Sequence, residues 1–385
     1  MSALNLSMNE FMPFLSFYNR IGFAPTRQKV SSANTLSDRR SFLYRSLGIP
    51  NIAVRDSDII EFGPGSGENS GILISLAPRS YKFVDGSEVV LTQLQDRLTI
   101  TTFSSTSFQF SASHILDYED DALYDLVICE GVLPMQIHPR EMATHVLSFV
   151  RPGGAAILSC FDSVSAFSEI ARRYLASSIF EDLNYSERLV QQLVGFFKDD
   201  FTHLPGMSRK PEDWVLDSIV NPWLGNLFSL QDALEVANDG YALLGTSPRF
   251  LQDWRWFKDP TALDENTTLA LAVSNYRMNI HSLLDARFTG QARSDDQANS
   301  SLIDVTSHIA TRVRGHISGN VPYESEEFGE DVTQMLKTTG DLHHKTRQSL
   351  QGLVDWSASR DLSDLEQFRS LWGRGQQYIS LVRLN

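Results

Sequence analysis

Three glycines at alternate positions follow a short apolar run, and an acid stands between the run and the glycines. The run at residues 59–60 leads to Glu61, after which come Gly63, Gly65 and Gly67. This pattern predicts a strand that enters a tight turn without side chains, so a ligand can lie against bare backbone. A carboxylate before the turn would repel a pyrophosphate and suits a ligand that carries an amino group. A glycine-rich turn without any ligand is the alternative.

A second acid ends the next predicted strand. Residues 81–84 form a mostly apolar run, and Asp85 and Gly86 follow it. A carboxylate at this place can accept hydrogen bonds from both hydroxyls of a ribose, as an acid about 20 residues downstream does in dinucleotide-binding folds. The glycine spacing is nevertheless different from the dinucleotide pattern G-x-G-x-x-G, because the third glycine comes one residue early.

Two further segments continue the series. Residues 124–129 are almost continuously apolar, which is typical of a parallel strand buried on both faces, and Glu130 follows them. Residues 149–154 read Phe-Val-Arg-Pro-Gly-Gly and lead into another apolar run. In this order, the four segments resemble the motifs of class I S-adenosylmethionine-dependent methyltransferases. The first resembles the acid-x-Gly-x-Gly-x-Gly motif of that family, and the Arg-Pro-Gly-Gly turn resembles its post-helix motif.

The resemblance is close over residues 50–162 and loose elsewhere. It implies an α/β fold with a Rossmann-like sheet of seven strands, the last one antiparallel, together with N-terminal helices and a large helical cap. The implied cofactor is S-adenosyl-L-methionine. The candidate cofactor-binding residues are Tyr18, Arg27, Glu61, Gly63, Gly65, Gly67, Asp85, Gly86, Ser113, His114 and Glu130.

Some of these assignments have open alternatives. Tyr18 and Arg27 are candidate contacts to the methionine carboxylate or the substrate, whereas a packed tyrosine and a solvated arginine are the alternative. Many members of the family carry an acid that accepts the adenine amino group. This chain has Ser113 and His114 there, and the nearest acid, Asp117, lies further along the loop.

Methyl transfer from a sulfonium is an in-line displacement that mainly requires positioning, and a general base is needed only when the acceptor must lose a proton early. Glu130 and His281 are the candidate catalytic residues. A carboxylate that orients the cofactor is the alternative for Glu130. A structural histidine is the alternative for His281.

The order of the patterns predicts a core interrupted by helical insertions. Near the end of the chain, the side chains of residues 378–383 alternate as they do in a β-strand. We therefore expect these residues to supply the seventh strand. The predicted segments are an N-terminal helical segment 1–50 over the cofactor, the cofactor-binding core 51–162, a helical cap insertion 163–240, a core strand region 241–257, a second helical cap 258–372 and the C-terminal core strand 373–385.

Composition narrows the function classes. The formal net charge is −14 and no basic run occurs, which argues against a nucleic-acid acceptor. The two cysteines lack metal-ligand spacing, so we expect no metal. The sequence has no long apolar stretch and no basic N-terminal region, which predicts a cytoplasmic protein without a membrane segment. We expect a small-molecule or glycan acceptor methylated at oxygen or nitrogen. A protein or carrier-bound peptide acceptor, a non-catalytic binding protein and a homodimer remain open.

Overall fold

The computed structural model describes residues 13–28, 33–100, 106–180, 182–204, 206–223, 225–237, 240–259 and 264–385. The strands are β1 Asp58–Phe62, β2 Ser80–Asp85, β3 Ser107–Ala112, β4 Tyr124–Cys129, β5 Val150–Cys160, β6 Tyr241–Ser247 and β7 Gln377–Arg383. The α-helices are α1 Pro13–Ile21, α2 Ala33–Ser46, α3 Asn51–Val54, α4 Glu68–Ile74, α5 Glu88–Ile100, α6 Pro139–Ser148, α7 Ser163–Ile179, α8 Glu187–Phe196, α9 Lys198–Thr202, α10 Pro211–Val215, α11 Leu230–Val236, α12 Glu265–Asn279, α13 Gln297–Ile317, α14 Ser325–Thr338 and α15 His344–Ser359.

The strands form one seven-stranded sheet in the order β3-β2-β1-β4-β5-β7-β6. β7 runs antiparallel to both of its neighbours, while the pairs among β1 to β5 are parallel. The predicted fold class is therefore confirmed, including the antiparallel last strand. The order reverses between β1 and β4, and the carboxyl ends of the strands at such a switch point border the crevice in which open α/β sheets bind ligands.

The register of the central strands decides which residues meet at that crevice. Phe62 of β1 lies opposite Cys129 of β4, so Gly63 and Glu130 leave the sheet side by side. Both strands are apolar because both faces of the sheet are covered there, and Ile60 is completely buried. The register thus places the glycine-rich turn and the acid after β4 at the same edge of the sheet, where β1 and β4 end.

β7 is an internal strand, not an edge strand. It pairs with β5 along residues 155–160 and with β6 along residues 241–247. Ile379 and Leu381 are fully buried, and the Ser380 hydroxyl donates to the carbonyl oxygen of Leu47. The last strand therefore ties β6 to the rest of the sheet.

The chain divides into two compact units. The first, which contains the sheet, comprises Met1–Cys160, Leu224–Val273 and Gln377–Asn385. The second comprises Phe161–Trp223 and Ser274–Gln376 and is helical.

The predicted cap ranges, 163–240 and 258–372, differ from this division, since residues 224–240 and 258–273 group with the sheet. One reason is that Arg140 of α6 forms ion pairs at 2.7 and 2.9 Å with Asp232 and Glu235, which both lie on α11. The predicted N-terminal segment 1–50 includes residues 1–12 and 29–32, which lie outside the described ranges.

A buried charge network holds part of the second unit. Arg172 of α7 is fully buried and donates to Asp200 at 2.9 Å, and Arg369 donates to the other oxygen of the same carboxylate at 2.8 Å. The Arg172 guanidinium also lies 3.7 Å from the centre of the Trp372 ring. Paired in this way, the charges avoid the cost of an isolated buried ion. None of the helices in the described ranges is long and apolar enough to cross a bilayer.

Candidate active site

The glycine-rich turn after β1 needs glycine at each of the three predicted positions. Gly63, Gly65 and Gly67 have φ angles of +67°, +55° and +77°, in the left-handed region that other residues rarely adopt. A Cβ on Gly63 would also overlap the side chain of Val132, which follows β4. The turn and the loop after β4 are therefore in direct contact, and the turn presents backbone at the switch point.

The N-terminal segment lies over this turn and over the end of β2. The Thr26 hydroxyl accepts a hydrogen bond from the Ser66 amide at 3.2 Å, and a Cβ on Gly65 would lie 2.7 Å from it. Leu15 occupies the corresponding position above Gly86, at 2.5 Å from where its Cβ would be. Residues 13–28 thus cover the ends of the strands that carry the predicted cofactor motif.

Tyr18 and Arg27 lie in that covering segment. The Tyr18 carbonyl accepts from the Gly22 amide at 2.8 Å at the end of α1, and its half-buried ring lies 6.1 Å from the ring of Phe17. The Arg27 guanidinium stacks 4.0 Å above the centre of the Phe23 ring. Both side chains therefore have packing partners within the segment, and their contact with a ligand stays a prediction.

Glu61 is held between strands. Its side chain is buried, and the Tyr81 hydroxyl on β2 donates to Glu61 Oε2 at 2.6 Å. Burial raises the pKa of Glu61 to about 7, although the hydrogen bond from Tyr81 acts in the opposite direction. Near neutral pH the carboxyl under the turn therefore exchanges between its neutral and charged forms.

Glu130, at the end of β4, forms an ion pair with Arg40 of α2. Both side chains are less than a tenth exposed, and the same Arg40 nitrogen donates to the Tyr44 hydroxyl at 2.7 Å. Burial lowers the pKa of Arg40, but the charge of Glu130 and the other nearby groups outweigh it, so this pKa lies well above its usual value. Within the described part of the chain, Glu130 Oε1 and Arg40 Nε have no hydrogen-bond partner.

Asp85 closes the same edge at β2. Its Oδ1 accepts from the Ser87 amide at 2.8 Å, and no described residue donates to Oδ2. Burial raises the pKa of Asp85 to about 6, and the hydrogen bond from Ser87 lowers it in part. One oxygen therefore orders the strand end, and the contact of the other with a ligand stays a prediction.

One curated protein is similar in sequence to part of this chain, although no family model matches the chain. The malonyl-(acyl-carrier protein) O-methyltransferase 2 of Ilyobacter polytropus is 26% identical over 144 residues, which are 36% of this chain and 53% of the relative. The chain therefore spans about half the length of the curated relative that it matches. Together with the strand order, this similarity confirms the resemblance seen in the motifs.

The chain has the fold of the class I S-adenosylmethionine-dependent methyltransferases.

Two solved structures illustrate the similarity. Magnesium protoporphyrin IX methyltransferase from Synechocystis is 16% identical with a TM-score of 0.33, and the match covers 50% of this chain and 87% of that one. An N-methyltransferase from Bradyrhizobium japonicum is 15% identical with a TM-score of 0.32, and the match covers 40% of this chain and 76% of that one. At TM-scores this low, neither structure supports the fold assignment beyond what the strand order already shows.

In this methyltransferase fold, Ser113 and His114 form local structure beyond β3. The Ser113 amide donates to the Asp85 carbonyl at 3.0 Å, and its hydroxyl donates to the His114 carbonyl at 3.0 Å. His114 Nδ1 accepts from the Leu116 amide at 3.3 Å and caps the 3₁₀ turn Ile115–Asp117. Burial lowers the pKa of His114. Adenine recognition by these two residues stays a prediction.

His281 belongs to the second unit and is buried there. Its Nδ1 lies 3.1 Å from Asn299 Oδ1, and its Nε2 lies 3.0 Å from the Gln291 carbonyl oxygen. A buried ring with both nitrogens against protein oxygens has the geometry of a structural histidine, which was the alternative reading. The catalytic assignment of His281 gains no support from these contacts and stays a prediction.

The structure thus gathers Glu61, the glycine-rich turn, Asp85 and Glu130 on one edge of the methyltransferase sheet. Sequence reasoning missed Arg40, which pairs with Glu130. The available signal was weak: Arg40 and Tyr44 stand four residues apart on a predicted helix, where side chains share a face. Across the described ranges, no group of three or more His, Cys, Asp and Glu side chains is arranged to hold a metal ion.

Proposed function

We propose that this chain transfers a methyl group from S-adenosyl-L-methionine to an oxygen or nitrogen atom of a small molecule or glycan. The observation that carries the proposal is the geometry of one sheet edge. There the acid–glycine turn follows β1, and the half-buried carboxyl of Asp85 ends the adjacent strand β2. The switch point lies on the other side of β1, and β3 lies on the other side of β2. No described residue donates to Asp85 Oδ2, so this oxygen can accept from a ribose hydroxyl.

The residues at this edge fit the cofactor. Beside Gly63, Glu130 Oε1 is a buried acceptor with no partner among the described residues, and an ammonium group such as that of a methionyl moiety would supply the missing donor. The positive-φ glycines allow a ligand to approach the backbone closely. When bound, S-adenosyl-L-methionine would supply an electrophilic methyl group attached to a sulfonium.

The chain's own contribution is positioning. With the cofactor held by these residues, the acceptor's lone pair would form the new bond to the methyl carbon as the sulfur–carbon bond broke and left its electrons on sulfur. Holding the reacting atoms in line can supply about 7–11 kcal/mol of the barrier at best. Glu130 is our candidate to orient the cofactor or to take a proton from the acceptor, and Arg40 compensates its charge at the strand end.

Charge and the curated relative support two candidate acceptor classes. A net charge of −14 without a basic run disfavours nucleic acid and is compatible with a small molecule or glycan. The second candidate is a carrier-bound or protein acceptor, which the malonyl-(acyl-carrier protein) O-methyltransferase 2 of Ilyobacter polytropus favours. A methyltransferase-like protein that holds no cofactor would not need these glycines and acids, and this chain has all of them. A protein that binds the cofactor without catalysis would need them, and a methyl-transfer assay distinguishes it.

Titration calorimetry tests the proposal directly. We expect the purified chain to bind S-adenosylmethionine and S-adenosylhomocysteine, and NAD not at all, because the acid before the turn disfavours a pyrophosphate. Heat from NAD without heat from S-adenosylhomocysteine would overturn the assignment. Incubation with methyl-labelled cofactor and separate pools of small metabolites, glycans and acyl-carrier protein then identifies the acceptor class.

A further inference from the structure

The loop after β4 is anchored to the sheet at its near end. The Gly131 amide donates to the Ser159 hydroxyl of β5 at 2.6 Å. The next residue, Val132, packs against the glycine-rich turn where a Cβ on Gly63 would overlap it. The position of this loop therefore decides how the side chain of Val132 and the preceding Glu130 stand relative to the turn.

The far end of the same loop is held by a segment about ninety residues further along the chain. The Met135 amide donates to the Asn226 carbonyl at 2.7 Å, and the Asn226 amide donates to the Gln136 carbonyl at 2.7 Å. The Asn226 side-chain amide adds a bond to the Ile137 carbonyl at 2.9 Å. Gln136 and Asn226 thus form an isolated antiparallel bridge that belongs to none of the named strands.

The bridge leaves no room for a side chain at Gly225. A Cβ at this position would overlap the carbonyl group of Met135 and would lie 2.5 Å from the carbonyl carbon of Gln136. The obstructing atoms are backbone, which cannot move aside as the end of a flexible side chain can. Met135 itself has a φ of +72°, a conformation that a residue with a side chain keeps only when its surroundings impose it.

We propose that Gly225 and Asn226 are positioning residues: they hold residues 131–137, and through them Glu130 and Val132, against the glycine-rich turn. Ligand affinity at the turn then depends on a segment that supplies none of the proposed cofactor contacts. This inference rests on the proposed function, because the ligand that reports it is the demethylated cofactor. Among the described residues, three hydrogen bonds and one close backbone contact join residues 225–226 to the loop and set its path.

The principal test is Gly225→Ala. The new methyl group must push the Met135 backbone away, so we expect the affinity for S-adenosylhomocysteine, measured by titration calorimetry, to fall about tenfold. The matched control is Gly240→Ala in the same unit. Apart from its chain neighbours, no heavy atom of the described residues lies within 4 Å of a Cβ there, so its affinity should equal that of the wild type.

Asn226→Ala provides a milder variant in case Gly225→Ala does not fold. It removes the side-chain bond to the Ile137 carbonyl and leaves both backbone bonds, so we expect a loss of affinity between those of the wild type and Gly225→Ala. Hydrogen exchange supplies a readout that a general loss of stability would not reproduce. In both variants the amides of residues 131–137 should lose protection, while those of β1 and β4 keep it.

The outcomes separate the two proposals. Failure of the wild type to bind S-adenosylhomocysteine overturns the proposed function, and the exchange experiment then still tests the bridge. Unchanged protection of residues 131–137 in the variants shows that Gly225 and Asn226 do not hold the loop. Faster exchange of the loop at wild-type affinity shows that Gly225 and Asn226 hold the loop without positioning the site. Each of these last two results overturns this inference.

Discussion

Arg40 reaches from α2 to the end of β4 and forms there a buried ion pair with Glu130, ninety positions along the chain. The pair joins a helix that precedes the sheet to the residue that stands beside the glycine-rich turn. Neither charge is exposed enough to be solvated by itself, so each depends on the other.

Removal of Arg40 should therefore destabilise the chain. In Arg40→Met the Glu130 carboxylate stays buried without its partner, which costs about 3–5 kcal/mol of unfolding free energy. Urea denaturation at neutral pH measures the loss. The control is Arg39→Met, because Arg39 is exposed and its replacement should change stability by less than about 0.5 kcal/mol.

The double variant Arg40→Met/Glu130→Gln identifies the cause. If the unpaired charge is responsible, the loss caused by Arg40→Met should be smaller when Glu130 is already neutral. Equal losses in both backgrounds would show that Arg40 acts through packing against Tyr44 and Tyr378, whose rings lie 4.9 and 5.8 Å from its guanidinium.

Asp85→Asn should weaken cofactor binding without affecting folding. The variant removes the charge of the proposed acceptor of a ribose hydroxyl, so we expect a loss of about 1–3 kcal/mol in the affinity for S-adenosylhomocysteine. Calorimetry measures the affinity and thermal denaturation the stability. Glu88→Gln, an exposed acid at the start of α5, should leave both unchanged. A lower melting temperature at full affinity would make Asp85 a structural residue.

Glu61 should make the chain less stable as the pH rises. Its pKa in the folded chain is about 7 and exceeds the ordinary 4.5, so the folded state binds the proton more tightly. Stability from this group is complete below pH 4.5 and is lost as the pH rises through 7. Glu61→Gln keeps an acceptor for Tyr81 and cannot ionise. Its stability relative to the wild type should rise between pH 5 and 8 by up to about 3 kcal/mol.

Denaturant titrations of both proteins at several pH values measure this difference. A wild-type–variant difference that is the same at pH 5 and pH 8 would rule out the raised pKa.

Deletion from Gln377 onward should abolish folding. It removes β7 from between β5 and β6, which leaves β6 without its paired strand and exposes the edge of β5. We expect insoluble or unfolded protein on expression. A chain that lacks only Leu384 and Asn385 retains all of β7 and should stay soluble. Soluble, cofactor-binding protein without β7 would show that the strand is dispensable.

Local patterns along the chain determined the sheet and most of its functional edge. The apolar runs before Glu61 and Glu130 are strands because apolar β-branched residues fit a sheet covered on both faces. The glycines after Glu61 have the positive φ angles that their spacing indicated, since only glycine adopts them without strain. The side-chain alternation of residues 378–383 also predicted the last strand, which spans Gln377–Arg383.

Tertiary structure alone decided the partners of those residues. Arg40 meets Glu130, and Asn226 bridges Gln136, across separations of about ninety residues that no local spacing encodes. Likewise, His281 has the residue type of a base, but its burial between two oxygens depends on how the second unit packs. Residue type and short-range periodicity specify what a segment becomes. Which side chains neutralise, clamp or bury one another depends on long-range packing, and that is settled only when the whole chain has folded.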